Sequence, residues 1–517
     1  MPDAAASSRT IRAVIDRLAE AQPDAPFLLS PESGATLTYG ELRENAHALA
    51  RELAAAGIRP GEVVSFMMGN GLSAAQIFLG AMYAGYIVSP VNLLAQDAQL
   101  EYVLAHSETR LVFAAREFVD RLHRLLARAG SSAALRVTDI DELALDGQSV
   151  ARCVDDGPEP TAPALLMYTS GTTGTPKGVV LSHTNLVAAA DAVSAALALT
   201  PADRVLSSLP LYHVNGLCIA TVSPLVSGGS IVIPHRFSVS QWWSLVERFS
   251  PTWLNMVPTI IAYLLNGPDT TETQQAACRA VRFGRCASAP LPPAHHRAFE
   301  TRFGISVIEA MGLTETASVA FANPLDPRAR KYGSAGCPLG VSARVVAPDG
   351  AVLPSGEAGE IELRGSNVMQ GYLKAPELTA KDLHADGWLA TGDLGYYDDD
   401  GFYFITGRLK ELIIKGGENI APREIDEALL KHPAVLEAAA VGIPDAGYGQ
   451  EILACIVRRP GVSCSEEELR AHCLRELGRY KTPKSLRFVT ELPKGPSGKV
   501  QRLKLLELGG CDVVATF

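Results

Sequence analysis

Short apolar runs alternate with segments of helical period along the first two-thirds of the chain, and that alternation leaves few folds open. Residues 42–56 predict a helix closed by Gly57, 63–68 a buried strand, 73–84 a helix and 86–88 a strand. The rhythm returns at 205–209, 216–226, 230–233, 241–249, 253–257, 281–286 and 307–310. Apolar strands that alternate with helices form mostly parallel sheets covered on both faces. Two such series predict two similar α/β subdomains.

From about Lys331 the pattern changes. Strand-like pieces at 345–346, 361–363 and 402–404 lie between Gly, Pro and Asp clusters, which predicts a small antiparallel β unit. After Gly407 a short α+β stretch follows, with helices near 423–431 and 466–477 and strands near 438–441 and 452–457. The expected architecture is a large N-terminal α/β domain, residues 1–407, and a small mobile α+β C-terminal domain, residues 408–517. A chain of 517 residues exceeds one compact core, in agreement.

Charge narrows the partners. A net charge of −10 argues against a nucleic-acid surface, which needs clustered Lys and Arg. No apolar run is long enough to span a membrane, and the N-terminal residues lack a signal core. Nine cysteines without a CxxC pair fit reduced thiols, hence a cytoplasmic protein. Whether the chain is a monomer or a homodimer stays open.

The most informative segment is Tyr168-Thr-Ser-Gly-Thr-Thr-Gly-Thr-Pro-Lys-Gly178, set between the apolar runs 165–167 and 179–181. Glycines let backbone N–H groups approach phosphate oxygens, hydroxyls add donors, and Lys177 adds a mobile charge. The spacing is not that of a Walker A loop, and a strand rather than a helix follows it. This segment resembles the signature loop of the adenylate-forming superfamily: acyl- and aryl-CoA synthetases, luciferases and peptide-synthetase adenylation domains. The resemblance extends over nearly the whole chain in the same motif order.

It implies an AMP-forming acid–CoA ligase that uses ATP, Mg²⁺ and coenzyme A with a small carboxylic acid. It implies ATP contacts at Thr169, Ser170, Gly171, Thr172, Thr173, Gly174 and Lys177, and further nucleotide contacts at Ser288, Ala289, Pro290, Met311 and Gly312. In Gly312-Leu-Thr-Glu-Thr316, Glu315 becomes the Mg²⁺ ligand and Thr314 a phosphate contact. Met311 stands where the family usually has an aromatic residue. Thr391-Gly-Asp393 alone reads as a surface turn; the resemblance makes Asp393 and Arg408 ribose contacts and Lys410 the hinge. Gly416 and Gly417 match the loop that lines the pantetheine tunnel, and Lys499 matches the essential lysine that acts at the α-phosphate.

The acid is less legible. By position in the family its pocket lies near 209–216, 255–259, 285–289 and 311–313, with His213 as a gate beside the α-phosphate. Arg285 ends a predicted buried strand, and a buried Arg needs an anion or several acceptors. Residues 285–290 and 323–333 resemble segments of oxalate-CoA ligases. The expectation is a small dicarboxylate or sulfonated acid held by Arg285 and Asn215, such as oxalate, malonate or sulfoacetate. An Arg paired with a structural carboxylate is the competing reading, and it leaves medium-chain or aryl acids open. Transfer to a carrier protein and a non-catalytic sensor of adenylates or acyl-CoA are the alternatives to CoA ligation.

Overall fold

In the computed structural model of the chain, residues 9–145, 157–169, 176–494 and 500–508 are described. The first sheet has seven strands in the spatial order Gly371–Tyr372, Lys177–Ser182, Pro163–Thr169, Ile87–Pro90, Val63–Met67, Leu111–Ala114 and Ala134–Val137. The last five are parallel, while Lys177–Ser182 returns antiparallel against Pro163–Thr169 and places Lys177 opposite Thr169. The glycine loop therefore joins two strands of a hairpin, as the flanking apolar runs predicted.

The second sheet has nine strands. Its parallel centre runs through Pro26–Leu29, Ser230–Val232, Arg204–Leu206, Trp253–Met256, Phe283–Cys286 and Val307–Met311, with short antiparallel strands at both edges. The two sheets share one apolar cluster. Val64, Phe66 and Val88 of the first and Val205, Ile231, Trp253 and Phe283 of the second belong to it, with helices Leu72–Tyr83 and His183–Ala196. Every residue of Leu72–Tyr83 is buried, as expected of a mostly apolar helix packed between strands Val63–Met67 and Ile87–Pro90 and helices Ile11–Ala21 and Tyr39–Ala55.

A third, four-stranded antiparallel sheet comprises Ser342–Val346, Gly359–Arg364, Leu389–Tyr397 and Tyr403–Arg408. A turn of 3₁₀ helix, Leu409–Glu411, follows. The smaller C-terminal domain then builds its own sheet from Ile413–Lys415, Glu418–Ile420, Val435–Asp445, Gly449–Arg458 and Ser485–Phe488, covered by helices Pro422–Leu430 and Glu466–Lys481. It touches the larger domain through Arg423, which donates to the carbonyl of Ile405. Arg502 binds both Asp426 and Glu411 of the 3₁₀ turn. Among the described residues no helix is long and apolar enough to cross a membrane.

Two local departures bear on the site. Residues Asn215–Val222 wind as a π-helix, a form that recurs where side chains are aimed at ligands. Thr221 donates its hydroxyl to the carbonyl of Gly216, and a Cβ at Gly216 would lie 2.5 Å from the carbonyl oxygen of Pro210. At Gly312 a Cβ would fall 2.1 Å from the Ser318 backbone, so only glycine lets the loop after strand Val307–Met311 fold back this tightly.

Candidate active site

The expected phosphate and metal groups converge. Strand Gly371–Tyr372 lies beside Lys177–Ser182, with Tyr372 opposite Val179. The Tyr372 ring sits beneath Lys177, whose Nζ is 4.7 Å from its centroid. The Tyr372 hydroxyl lies 3.1 Å from Glu315 Oε1 and 3.1 Å from Asp382 Oδ2. Lys177 Nζ is itself 3.4 Å from Asp382 Oδ2. Tyr372 thus joins Lys177 to Glu315 across residues far apart in the chain. Burial and the two carboxylates push its phenol far above the ordinary range. Thr314 opens the 3₁₀ turn that carries Glu315, and Asn367 pins that turn by donating to the carbonyls of Thr316 and Val319.

One carboxylate beside hydroxyls fits Mg²⁺, which keeps several waters and completes its shell with substrate phosphates. Among the described residues no three His, Cys, Asp or Glu side chains converge as a full protein cage. Ser170, Gly171, Thr172, Thr173 and Gly174 lie outside the described residues, as does Lys499.

Asp393 is buried to 2 % exposure on strand Leu389–Tyr397, and Arg408 is its direct partner on the next strand. Arg408 Nε lies 2.6 Å from Asp393 Oδ1, and its Nη2 lies 3.4 Å from Oδ2. The two expected ribose contacts therefore form a forked ion pair with each other. Both line a cavity of about 310 Å³ with Ser288, Ala289, Pro290, Met311 and Gly312. Met311 also packs against the apolar cluster of Phe321 and Tyr403.

A second cavity, of about 400 Å³, is lined by His213, Asn215, Tyr212, Phe237 and Tyr263, among others. Thr259, Ser288 and Lys494 line both cavities and so mark their junction. Arg285 belongs to neither wall. Its side chain lies one layer behind, 3 % exposed, on strand Phe283–Cys286 and opposite Asn255 of the neighbouring strand. Its Nη1 donates to Asn215 Oδ1 at 3.1 Å and to Asn255 Oδ1 at 3.4 Å. Asn255 Nδ2 donates to the same Asn215 oxygen, and Asn215 Nδ2 donates to Ser288 Oγ at 3.1 Å. Among the described residues no carboxylate pairs with Arg285. Burial lowers its pKa to about 10, which leaves it cationic at neutral pH.

The hydrogen-bond directions run outward from that charge. Ser288 Oγ accepts from Asn215, so its own proton is available at the cavity junction. Ser288 holds φ = 77°, a left-handed value uncommon for a residue with a Cβ and frequent at functional turns. Asn255 was legible only as the first residue of the pocket segment 255–259; its contact with Arg285 depends on the register that sets the two opposite each other.

Lys494 and Val500 pair across the segment that contains Lys499, and both line the smaller cavity. Gly416 and Gly417 lie elsewhere. They form the tip of the hairpin between Ile413–Lys415 and Glu418–Ile420, both with positive φ (56° and 87°), as a two-residue turn of this twist requires. The hairpin's tip is exposed, and the hairpin lines neither cavity. Lys410 is exposed on the 3₁₀ turn between the domains.

Glu309, not singled out by motif, lies two residues before Met311 and lines the smaller cavity. Its Oε1 accepts from Leu291 N, while Oε2 is buried without a protein donor. Burial raises its pKa to about 7.

Residues 15–373 match the AMP-binding enzyme family, and residues 424–499 match the AMP-binding enzyme C-terminal domain. A sulfoacetate–CoA ligase of Cupriavidus necator is 58 % identical over 96 % of this chain and 97 % of its own length. An oxalate–CoA ligase of Arabidopsis thaliana is 34 % identical over 96 % of this chain and 98 % of its own. The ATP-bound crystal structure of MatB from Rhodopseudomonas palustris superposes with a TM-score of 0.88 at 32 % identity, covering 96 % of this chain and 99 % of that one.

Proposed function

Because the chain belongs to the AMP-binding enzyme family, we propose that it joins coenzyme A to a small acid that carries a second anionic group, with sulfoacetate the leading candidate. It is an AMP-forming acid–CoA ligase that uses ATP and Mg²⁺. The observation that carries the substrate class is the buried Arg285 whose described partners are neutral amides. A buried cation without a counter-charge is costly; from one layer behind the wall its charge acts through Asn215 and Ser288 on the cavity, where it favours an anionic substrate tail. The 58 % identical sulfoacetate–CoA ligase and the oxalate–CoA ligase support the same class.

The substrate carboxylate attacks the α-phosphorus of ATP and pyrophosphate leaves, giving the acyl-adenylate; the CoA thiol, as thiolate, then attacks the acyl carbon and AMP leaves. Bound Mg²⁺ neutralises phosphate charge. The chain's own groups orient and screen the reactants. Lys177 and Thr314 contact the phosphates, and Glu315 anchors the metal. The Asp393–Arg408 pair meets the ribose edge. Ser288 and His213 flank the junction where carboxylate and α-phosphate meet, and Lys499 brings a further positive charge to that point.

For the second half-reaction the C-terminal domain turns about Lys410, and the Gly416–Gly417 hairpin, remote from both cavities here, is brought to the CoA arm. A cytoplasmic setting fits the seven described cysteines, all of them free thiols.

The test is AMP release with CoA present for oxalate, malonate, succinate, sulfoacetate, butyrate and benzoate. Highest kcat/KM is expected for the acids with a second anionic group. A preference for butyrate or benzoate rejects the anion-site reading.

A further inference from the structure

We infer that Asp382 is a positioning residue that competes with the phosphates for Lys177 and so weakens the grip on ATP and on pyrophosphate. The inference rests on the reading above in which Lys177 contacts the phosphates.

Lys177 leaves the end of its strand and lies over the Tyr372 ring, with Nζ 3.4 Å from Asp382 Oδ2. Both side chains are largely covered, at 18 % and 23 % exposure, so the pair is only partly screened by solvent. Tyr372 fixes both partners. Its strand pairs with that of Lys177, and its N–H is accepted by the Thr379 hydroxyl of helix Pro376–Asp382.

Asp382 is the last residue of that helix, where a carboxylate meets the negative end of the backbone dipole. Helix stability does not favour it there. Its contacts are instead Lys177 and the Tyr372 hydroxyl. That hydroxyl has one proton and faces two carboxylates, Glu315 and Asp382, so it satisfies one at a time.

Asp382 therefore opposes a triphosphate in two ways. The lysine must leave its carboxylate before it reaches a phosphate, and the carboxylate then stands uncompensated near incoming negative charge. The same two terms oppose bound pyrophosphate and so favour its departure. AMP has no β- or γ-phosphate and escapes both terms.

The experiment is calorimetric titration of the full chain with ATP, pyrophosphate and AMP at fixed Mg²⁺, comparing wild type with Asp382→Asn, Asp382→Ser and Lys177→Ala. Both Asp382 variants are expected to bind ATP and pyrophosphate roughly five- to tenfold more tightly, the scale of a partly covered ion pair, with AMP affinity unchanged. A purely structural Asp382 would loosen all three ligands. Unchanged or weaker binding of ATP and pyrophosphate in whichever Asp382 variant folds overturns the inference. If Lys177→Ala leaves ATP and pyrophosphate binding untouched, the phosphate role of Lys177 falls first and the inference falls with it. If Lys177→Ala weakens both while the Asp382 variants do nothing, only the holding role is wrong.

Discussion

Replacing Arg285 by Met removes a buried charge and keeps much of the side-chain volume. Arg285 has no carboxylate partner among the described residues, so no orphaned anion is created. The loss differs from breaking a buried ion pair, which costs about 3–5 kcal/mol. What remains unpaired is the share of Asn215 Oδ1 and Asn255 Oδ1 that Nη1 had filled, and Asn215 Oδ1 keeps the bond from Asn255 Nδ2. One poorly satisfied acceptor costs about 1–3 kcal/mol, offset by the desolvation penalty of the lost guanidinium. The expected change in stability is within about 2 kcal/mol, read as the midpoint of urea unfolding.

Catalysis should change far more. A buried charge acting on an anionic tail across the intervening Asn215 layer is worth about 2–3 kcal/mol, or roughly 30- to 150-fold in kcat/KM. The assay is AMP release by Arg285→Met and Arg285→Lys with sulfoacetate and with butyrate. Sulfoacetate turnover should fall by that factor in Arg285→Met, and less in Arg285→Lys, which keeps the charge but not the fork. Butyrate turnover should hold or rise. Equal losses on both acids would show that Arg285 supports the strands and not the substrate, and the reasoning would fail.

Ser288→Ala removes the proton that ends the Arg285–Asn215–Ser288 chain and should lower kcat for adenylation about tenfold, seen in acid-dependent ATP–pyrophosphate exchange. Glu315→Gln should cut the same exchange by roughly 100-fold and raise the Mg²⁺ concentration needed for half-maximal rate. Lys499→Ala should abolish adenylation yet still convert a supplied acyl-adenylate and CoA to thioester, as single-turnover measurements would show. Glu309 has a folded-state pKa of about 7, raised by burial above its value of 4.5 as a free side chain. The folded chain then holds one proton more than the unfolded chain between those values, so the stability tied to this proton is full below about pH 4.5 and is lost as pH rises through 7. Relative to Glu309→Gln, the wild type should lose at most about 3 kcal/mol between pH 5 and 8, measured by urea unfolding.

Local features were readable in advance. The strand at 63–68 is seen as Val63–Met67 and the helix at 42–56 as Tyr39–Ala55, each shifted by a few residues at the ends. The glycine loop was legible because composition and its flanking apolar runs already specify a hairpin between buried strands. Asp393 and Arg408 were each assigned to ribose by motif; that they pair with one another needed the strand register. Glu309 escaped because a lone carboxyl in an apolar run carries no spacing signal, and its environment is built by residues from several elements.

By itself the sequence determined the alternation of strand and helix, the hairpin with its phosphate loop, the change to antiparallel β and the motif order that marks an acid–CoA ligase. The first three depend on side-chain period and turn chemistry within a few residues of each other; the last rests on resemblance to a known family. Tertiary structure alone decided which distant groups meet: Asn215 with Arg285, 70 residues on, and Lys177 with Asp382, 205 residues on. Such contacts follow from how two sheets pack across shared helices and which strands are neighbours. Pairwise side-chain energies of a few kcal/mol are too small to choose that arrangement, and they are expressed only once the burial of the core has set it.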